Sequence, residues 1–278
     1  MPVRIVQSKQ NPRLKELRKA LAAPGREVHG LAGIEGPNLV EEALKAGLRI
    51  PCIFIAQGFE HLLDPFLIPP EIEILQMKRE LLESALTTQS PQPVAALVEL
   101  PDWTWAHILK PARTAVPLVA VLAGVQDPGN LGTIIRSAEA FGADGVIALS
   151  GTASGWNPKA IRASAGSLFR LPLITASVQE CFTNLREAGV RVLSTTVGVA
   201  EPVDLLDLTI PVAVIFGNEG NGVPESVASY ADRPVTISCP GTTESLNAAI
   251  AASVILYEAS RQRREQAVKL LGRKGARR

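Results

Sequence analysis

Apolar residues recur along this chain at two spacings, and the way they alternate changes near residue 105. Up to about residue 100, short helical and extended patterns are mixed. Asn11-Pro12 predicts a helix entry, because a proline in the first turn gives up only an N–H that would be unpaired anyway. Residues 38–46 (NLVEEALKA) place apolar side chains three and four apart and stop at Gly47. Residues 50–56 (IPCIFIA) predict a buried strand, 78–85 a helix and 93–100 another strand. Residues 1–105 thus read as a small α/β domain.

Pro101-Asp-Trp-Thr-Trp105 and the prolines at 111 and 117 interrupt the periodicity, which predicts a linker over 106–116. Beyond it, strand and helix alternate regularly. Strands are expected at 118–123, 145–149, 190–195, 212–216 and 235–238, and helices at 131–141, 158–167, 178–188 and 245–264. Such alternation implies a parallel sheet with crossover helices on both faces, in a second α/β domain over 117–264 that ends in a basic tail, 265–278. Ligands of such sheets bind beyond the carboxyl ends of the strands.

A chain of 278 residues that is 46% hydrophobic can bury the core of two ordinary domains. Its net charge of +1 argues against a wholly cationic nucleic-acid coat, yet both ends are basic. Arg4, Lys9, Arg13, Lys15, Arg18, Lys19 and Arg26 stand near the start, and Arg261, Arg263, Arg264, Lys269, Arg273, Lys274, Arg277 and Arg278 near the end. They are either solvated helix faces with a frayed tail or contacts to phosphate. Cys52, Cys181 and Cys239 have neither disulfide-framework nor zinc-site spacing, so a reducing compartment, the cytoplasm, is expected and no metal. No segment has the length of a membrane span, and the acid-free start reads better as a helix entry than as a transit peptide. His29, His61 and His107 are scattered and read as surface or core residues.

Three polar turns follow apolar strands and carry the candidate chemistry. In the first, Asn130 suits a cap for the helix beginning at Leu131, and Arg136 is either a surface charge or a handle for an anion or ribose. The second, Gly217-Asn-Glu-Gly-Asn-Gly222, lacks the Lys-Ser/Thr ending of a nucleotide-triphosphate loop and comes too late for a dinucleotide fingerprint. Its glycines instead allow close backbone approach to a flat ligand, and Glu219 is either a solvated turn carboxylate or a group that orders the site. The third, Gly241-Thr-Thr-Glu-Ser-Leu-Asn247, reads as a helix cap, but Asn is a mediocre helix former, so the Asn247 amide is expected to serve a ligand or a neighbouring loop.

Asn130-x-Gly132-x-x-x-Arg136, then Gly217-x-Glu219-Gly220, then Ile237, Gly241 and Ser245-Leu246-Asn247 together resemble the three motifs of the SpoU family of RNA ribose 2′-O-methyltransferases, in the SPOUT superfamily. Ser8–Pro12, Ile34-Glu35-Gly36 and Ser90-Pro91-Gln92 resemble that family's N-terminal RNA-binding domain, which is similar to small ribosomal RNA-binding proteins. Ser238-Cys239 stands where the family often has Pro-Met, and Ala248-Ala249-Ile250 where it has Val-Ser-Val; both departures touch cofactor packing rather than the polar pattern. The resemblance implies a C-terminal trefoil knot, which periodicity could never show. It also implies S-adenosylmethionine held by Thr195, Gly217, Gly220, Ile237 and Leu246, and a homodimer whose final helix lies near the interface and whose site is completed across subunits. Arg136, Asn130, Glu219, Ser245 and Asn247 are then the catalytic set. A guanidinium is a poor base, so Arg136 is expected to align the ribose hydroxyl and stabilise its oxyanion, with Asn130 and Glu219 ordering the pocket and holding it. Structured RNA, foremost ribosomal RNA, is the implied substrate. The alternatives are a tRNA-directed relative or a noncatalytic RNA-binding or assembly protein. With 4% aromatic residues, shape and phosphate contacts should dominate RNA recognition.

Overall fold

The computed structural model describes residues 3–22, 30–110, 116–242 and 245–275. Arg26, His29, the middle of the expected linker with Pro111, and Arg277 and Arg278 lie outside the described residues. The chain divides into two compact units, Met1–Asp102 with Ser154–Arg170, and Trp103–Ala153 with Leu171–Arg278.

In the first unit β1 (Val3–Val6), β2 (Leu31–Glu35), β3 (Cys52–Ala56), β4 (Glu73–Met77) and β5 (Val94–Glu99) form a mixed sheet in the order β1-β4-β3-β5-β2. β1 and β3 run parallel to β4, whereas β5 is antiparallel to both β3 and β2. Helices α1 (Pro12–Ala22), α2 (Pro37–Lys45) and α3 (Arg79–Glu83) accompany it. Leu14, Leu17 and Leu21 of α1 join Phe54, Leu75, Met77 and Leu97 in one core. β2 delivers Glu35 to the loop before β5, where its Oε1 accepts from Thr88 Oγ1 at 2.6 Å and from the Gln92 N–H at 2.9 Å. The Glu35-Gly36 and Ser90-Pro91-Gln92 stretches are therefore one feature in space.

The second unit begins with α4 (Trp105–Leu109), β6 (Leu118–Ala123), α5 (Pro128–Ala140) and β7 (Gly145–Leu149). α4 occupies the first half of the expected linker; its Ile108 is fully buried, which fixes a stretch that prolines alone mark as irregular. Next comes α6 (Pro158–Ser164), inside the segment that belongs to the first unit, where it packs on β2. Arg170, at the end of that segment, donates to Glu42 Oε2 of α2 at 2.6 Å. Then follow β8 (Leu173–Ala176), α7 (Val178–Glu187), β9 (Arg191–Thr195), β10 (Glu201–Pro202), β11 (Val212–Gly217), α8 (Glu225–Ala228), β12 (Arg233–Thr236) and α9 (Ala248–Gly275).

The seven strands are ordered β10-β12-β9-β11-β6-β7-β8 and every pairing is parallel. The five expected strands are present in a parallel sheet as anticipated, and β8 and β10 extend it at its two edges. β6, β7 and β11 are buried along their whole length, as continuous apolar runs between two helical layers require. Val119, Val121, Ala213 and Ile215 form a cluster with Ile108 of α4 and with Phe182 and Leu185 of α7. The alternate β6 residues Leu118, Ala120 and Leu122 face the other way and are equally buried. α5 and α9 pack on each other, α5 on β7 and α9 on β11.

Candidate active site

The carboxyl ends of β9, β11 and β12 open into a cavity of about 950 Å³ lined by Thr195, Gly217, Glu219, Gly220, Ile237 and Leu246 among others. β11 ends at Gly217, and the turn that follows closes on itself: Asn218 and Gly222 exchange backbone hydrogen bonds of 2.8 and 2.9 Å. A Cβ at Gly217 would stand 2.1 Å from the carbonyl carbon of Gly222 and 2.2 Å from the N of Val223, so no other residue fits. Asn218 braces the turn from within. Its Oδ1 accepts from the N–H groups of Gly220 and Asn221, and its Nδ2 donates to the Gly124 carbonyl at 2.9 Å, tying the turn to the end of β6. Asn218 is not among the residues expected from sequence; an Asn inside a glycine turn, able to form an Asx turn, is the signal that marks it.

Three of the expected catalytic residues form one chain of hydrogen bonds. Asn247 donates through Nδ2 to Asn130 Oδ1 at 3.2 Å, and Asn130 donates through Nδ2 to Glu219 Oε1 at 2.9 Å. The N–H groups of Gln126 and Asp127 add longer contacts to the same carboxylate, each of 3.4 Å. All three polar turns thus meet. Burial by itself would raise the Glu219 carboxyl, but the Asn130 amide and these N–H groups outweigh it and hold the acid below the usual carboxylate range. Glu219 is therefore an anion at neutral pH.

Two local assignments change. Asn130 does not cap a helix at Leu131: α5 starts at Pro128, and the cap is Asp127, whose Oδ1 accepts from the Gly129 N–H at 3.2 Å. Proline at the first helical position moves the start forward and leaves the Asn130 side chain free for Glu219. Asn247 in turn is the cap of α9 rather than part of its first turn. Its Oδ1 accepts from the N–H groups of Ala249 and Ile250 while its amide reaches Asn130, so a neighbouring loop is indeed served.

All five residues expected to hold the cofactor, Thr195, Gly217, Gly220, Ile237 and Leu246, line the cavity, as do Glu219 and Ser245 of the catalytic set. Arg136 is not among the lining residues; it is exposed on α5 and makes no hydrogen bond or ion pair among the described residues. Six residues beyond Asn130, it stands on a different face of the helix, so Asn130 and Glu219 do not hold it. The cavity suits S-adenosylmethionine by its chemistry. Val197, Val223, Ile237, Leu246 and Ile255 offer apolar wall for a flat base, and glycine and threonine backbone offers directional polar groups at close range.

Residues 117–257 match the model of the SpoU rRNA Methylase family, and residues 11–96 match the MRM3-like substrate binding domain. The 23S rRNA (guanosine(2553)-2′-O)-methyltransferase RlmP of Bacillus subtilis is 31% identical over 256 residues, 91% of this chain and 97% of that protein. The SpoU methyltransferase AviRb of Streptomyces viridochromogenes, solved in complex with the cofactor AdoMet, superimposes with a TM-score of 0.78 at 30% identity, over 91% of this chain and 98% of that one. An AdoMet-bound rRNA methyltransferase from Sinorhizobium meliloti gives a TM-score of 0.79 at 29% identity, over 93% and 98%. With three motif turns joined through Asn247, Asn130 and Glu219 beside the cavity, and with relatives aligned along nearly the full length, the chain belongs to the SpoU rRNA methylase family.

Proposed function

We propose that this protein transfers a methyl group from S-adenosylmethionine to a ribose 2′-hydroxyl of ribosomal RNA. The observation that carries the reading is the bonded chain Asn247–Asn130–Glu219 at the cavity, because a protein that only bound RNA would have no use for it. When bound, the cofactor supplies an activated methyl on a sulfonium. The protein's task is then to align the hydroxyl and help its proton leave. Thr195, Gly217, Gly220, Ile237 and Leu246 hold the cofactor, and Glu219, in the turn after β11, fixes the Asn130 amide in the first turn of α5. Arg136 aligns the ribose oxygen and stabilises its developing charge; its permanent cation cannot serve as the base. Since Arg136 has no partner within its own chain among the described residues, this role is assigned to a site completed by a second subunit.

That assignment requires a homodimer. Ile250, Val254 and Tyr257 form an exposed apolar stripe on α9, the helix expected near the interface, and a stripe at helical spacing calls for a covering surface. We also assign RNA binding to residues 1–105 and methyl transfer to 117–264, with the C-terminal part knotted, in the cytoplasm; the family match of residues 11–96 supports the first. Calorimetric titration with S-adenosylmethionine tests the reading first, and absence of binding sinks it. Mapping ribose methylation on ribosomal RNA from cells with and without the protein then identifies the nucleotide; an unchanged map excludes ribosomal RNA as substrate.

A further inference from the structure

α9 is buried in its first half and exposed from Arg264 to Leu270. Its first half is held: Ala249, Ala252, Ile255, Leu256 and Ala259 are buried. Near the middle, the Arg263 guanidinium donates to the carbonyls of Val116, Pro117, Leu208 and Ile210, and Gln262 bonds to Leu206 and Leu208. From Arg264 to Leu270 every residue is exposed, yet the helix continues to Gly275. At 1.5 Å per residue this projects about 18 Å of helix. Up to Leu270 the contacts along this stretch are few, Gln266 donating to Thr209 Oγ1 at 3.2 Å and Arg264 lying over the Tyr257 ring, and so short a helix is marginal alone in water, so the anchored half must supply its order.

The projecting part is cationic. Glu265 is its one acid and already pairs with Arg261 at 2.5 Å. After it come Lys269, Arg273 and Lys274 with no acid following, and Lys269 has no acidic partner among the described residues. Lys269 and Arg273 stand four residues apart, on one face of the helix. Like charges spaced along a helix repel one another, and a polyanion removes that cost. A second copy of the chain would bring like charges together instead, although the exposed Val268 could contribute some apolar contact.

We propose that residues 264–275 form an arm that grips the phosphodiester backbone of the RNA substrate away from the cavity. The proposal rests on the reading of the protein as an RNA methyltransferase. The test compares the full chain with its K269Q/R273Q/K274Q variant, glutamine being a good helix former that carries no charge. An unmodified ribosomal RNA transcript is the probe, at 50 to 200 mM salt, with binding, methyl incorporation and sedimentation all followed. The slope of log affinity against log salt is expected to become shallower by about 2–3, since each phosphate contact contributes ~0.7–0.9. The KM for RNA should rise roughly tenfold at the upper salt, with kcat and S-adenosylmethionine affinity within about twofold of the parent. An unchanged slope and KM overturn the arm while leaving the methyltransferase reading intact. An unchanged slope with altered sedimentation also overturns it and assigns the arm to self-association. Failure of the parent chain to bind or methylate RNA overturns both.

Discussion

Gly217 leaves no room for a side chain, and that makes it the most sensitive single position of the cavity. In Gly217→Ala the new Cβ collides with backbone on the returning limb of the turn, which cannot retreat without breaking the paired bonds of Asn218 and Gly222. We expect a loss of about 1–3 kcal/mol in stability, seen in the melting curve, and at least roughly tenfold weaker S-adenosylmethionine binding by calorimetry. Wild-type affinity in this variant would refute the close-packed turn. Asn130 has a different signature. Glu219 has its folded pKa lowered, so it contributes stability that is present above the ordinary carboxylate pKa and lost as pH falls through the folded value. Asn130→Ala removes the largest of the lowering contacts, so the acid limb of a melting-temperature profile should move to higher pH; an unmoved limb would show that the bond does not hold the carboxylate. For Arg136 the expected result is that Lys, which keeps the charge but loses the planar fork, reduces turnover on bound RNA by ~10-fold or more and leaves cofactor binding unchanged.

At the scale of elements, Arg263 shows what a sequence can and cannot disclose. It reads as one more cation of a basic tail, but on α9 it is largely withdrawn from solvent and donates to four carbonyls at the entries to β6 and β11. Burial lowers its pKa from the ordinary guanidinium value, with Asp144 opposing that shift. Arg263→Lys keeps a charge and cannot reach four acceptors, so a loss of about 2–4 kcal/mol is expected in denaturant unfolding at neutral pH. A change under about 0.5 kcal/mol would mean that water replaces the bonds. The regular elements were legible where a pattern is self-contained. The apolar run of β6 and the spacing of α2 depend on neighbours only for their burial, and both appear within a residue of expectation. β1, only four residues long and mostly exposed, and β10, of two residues, carry no pattern strong enough to read and exist because a neighbouring strand offers its edge. The site was legible as residue types, since glycine, Asn and Glu in polar turns after strands limit the chemistry. Which of them touch was not, because the Asn130–Glu219 and Asn130–Asn247 bonds join residues far apart in the chain.

The order of units along the chain sets the limit on how this molecule can be divided. A boundary near residue 105 looks natural in sequence, because prolines interrupt the periodicity there. The chain nevertheless passes from the second unit into the first at Ser154 and returns at Leu171, so no single cut yields two complete units. The returning segment is fitted to its place. Gly166, with φ of +88°, lies so close to α2 that a Cβ there would stand 2.6 Å from Glu42 Cβ, and Arg170 spends its charge on the Glu42 carboxylate. Burial would raise Glu42, yet Arg170 and then Lys45 keep it below the ordinary range, so this pairing persists at neutral pH. Within the segment Ile161, Leu168 and Phe169 are buried. A fragment of residues 117–278 would retain the strands of the parallel sheet but deprive Ser154–Arg170 of α2 and β2. Its apolar side chains would then face water, at ~25 cal/mol for each Å² exposed. Limited proteolysis of that fragment should cut first within 154–170, whereas the full chain should resist there under the same conditions. Equal resistance in the two would show that the segment needs nothing from the first unit, and the chain could then be separated at its prolines after all.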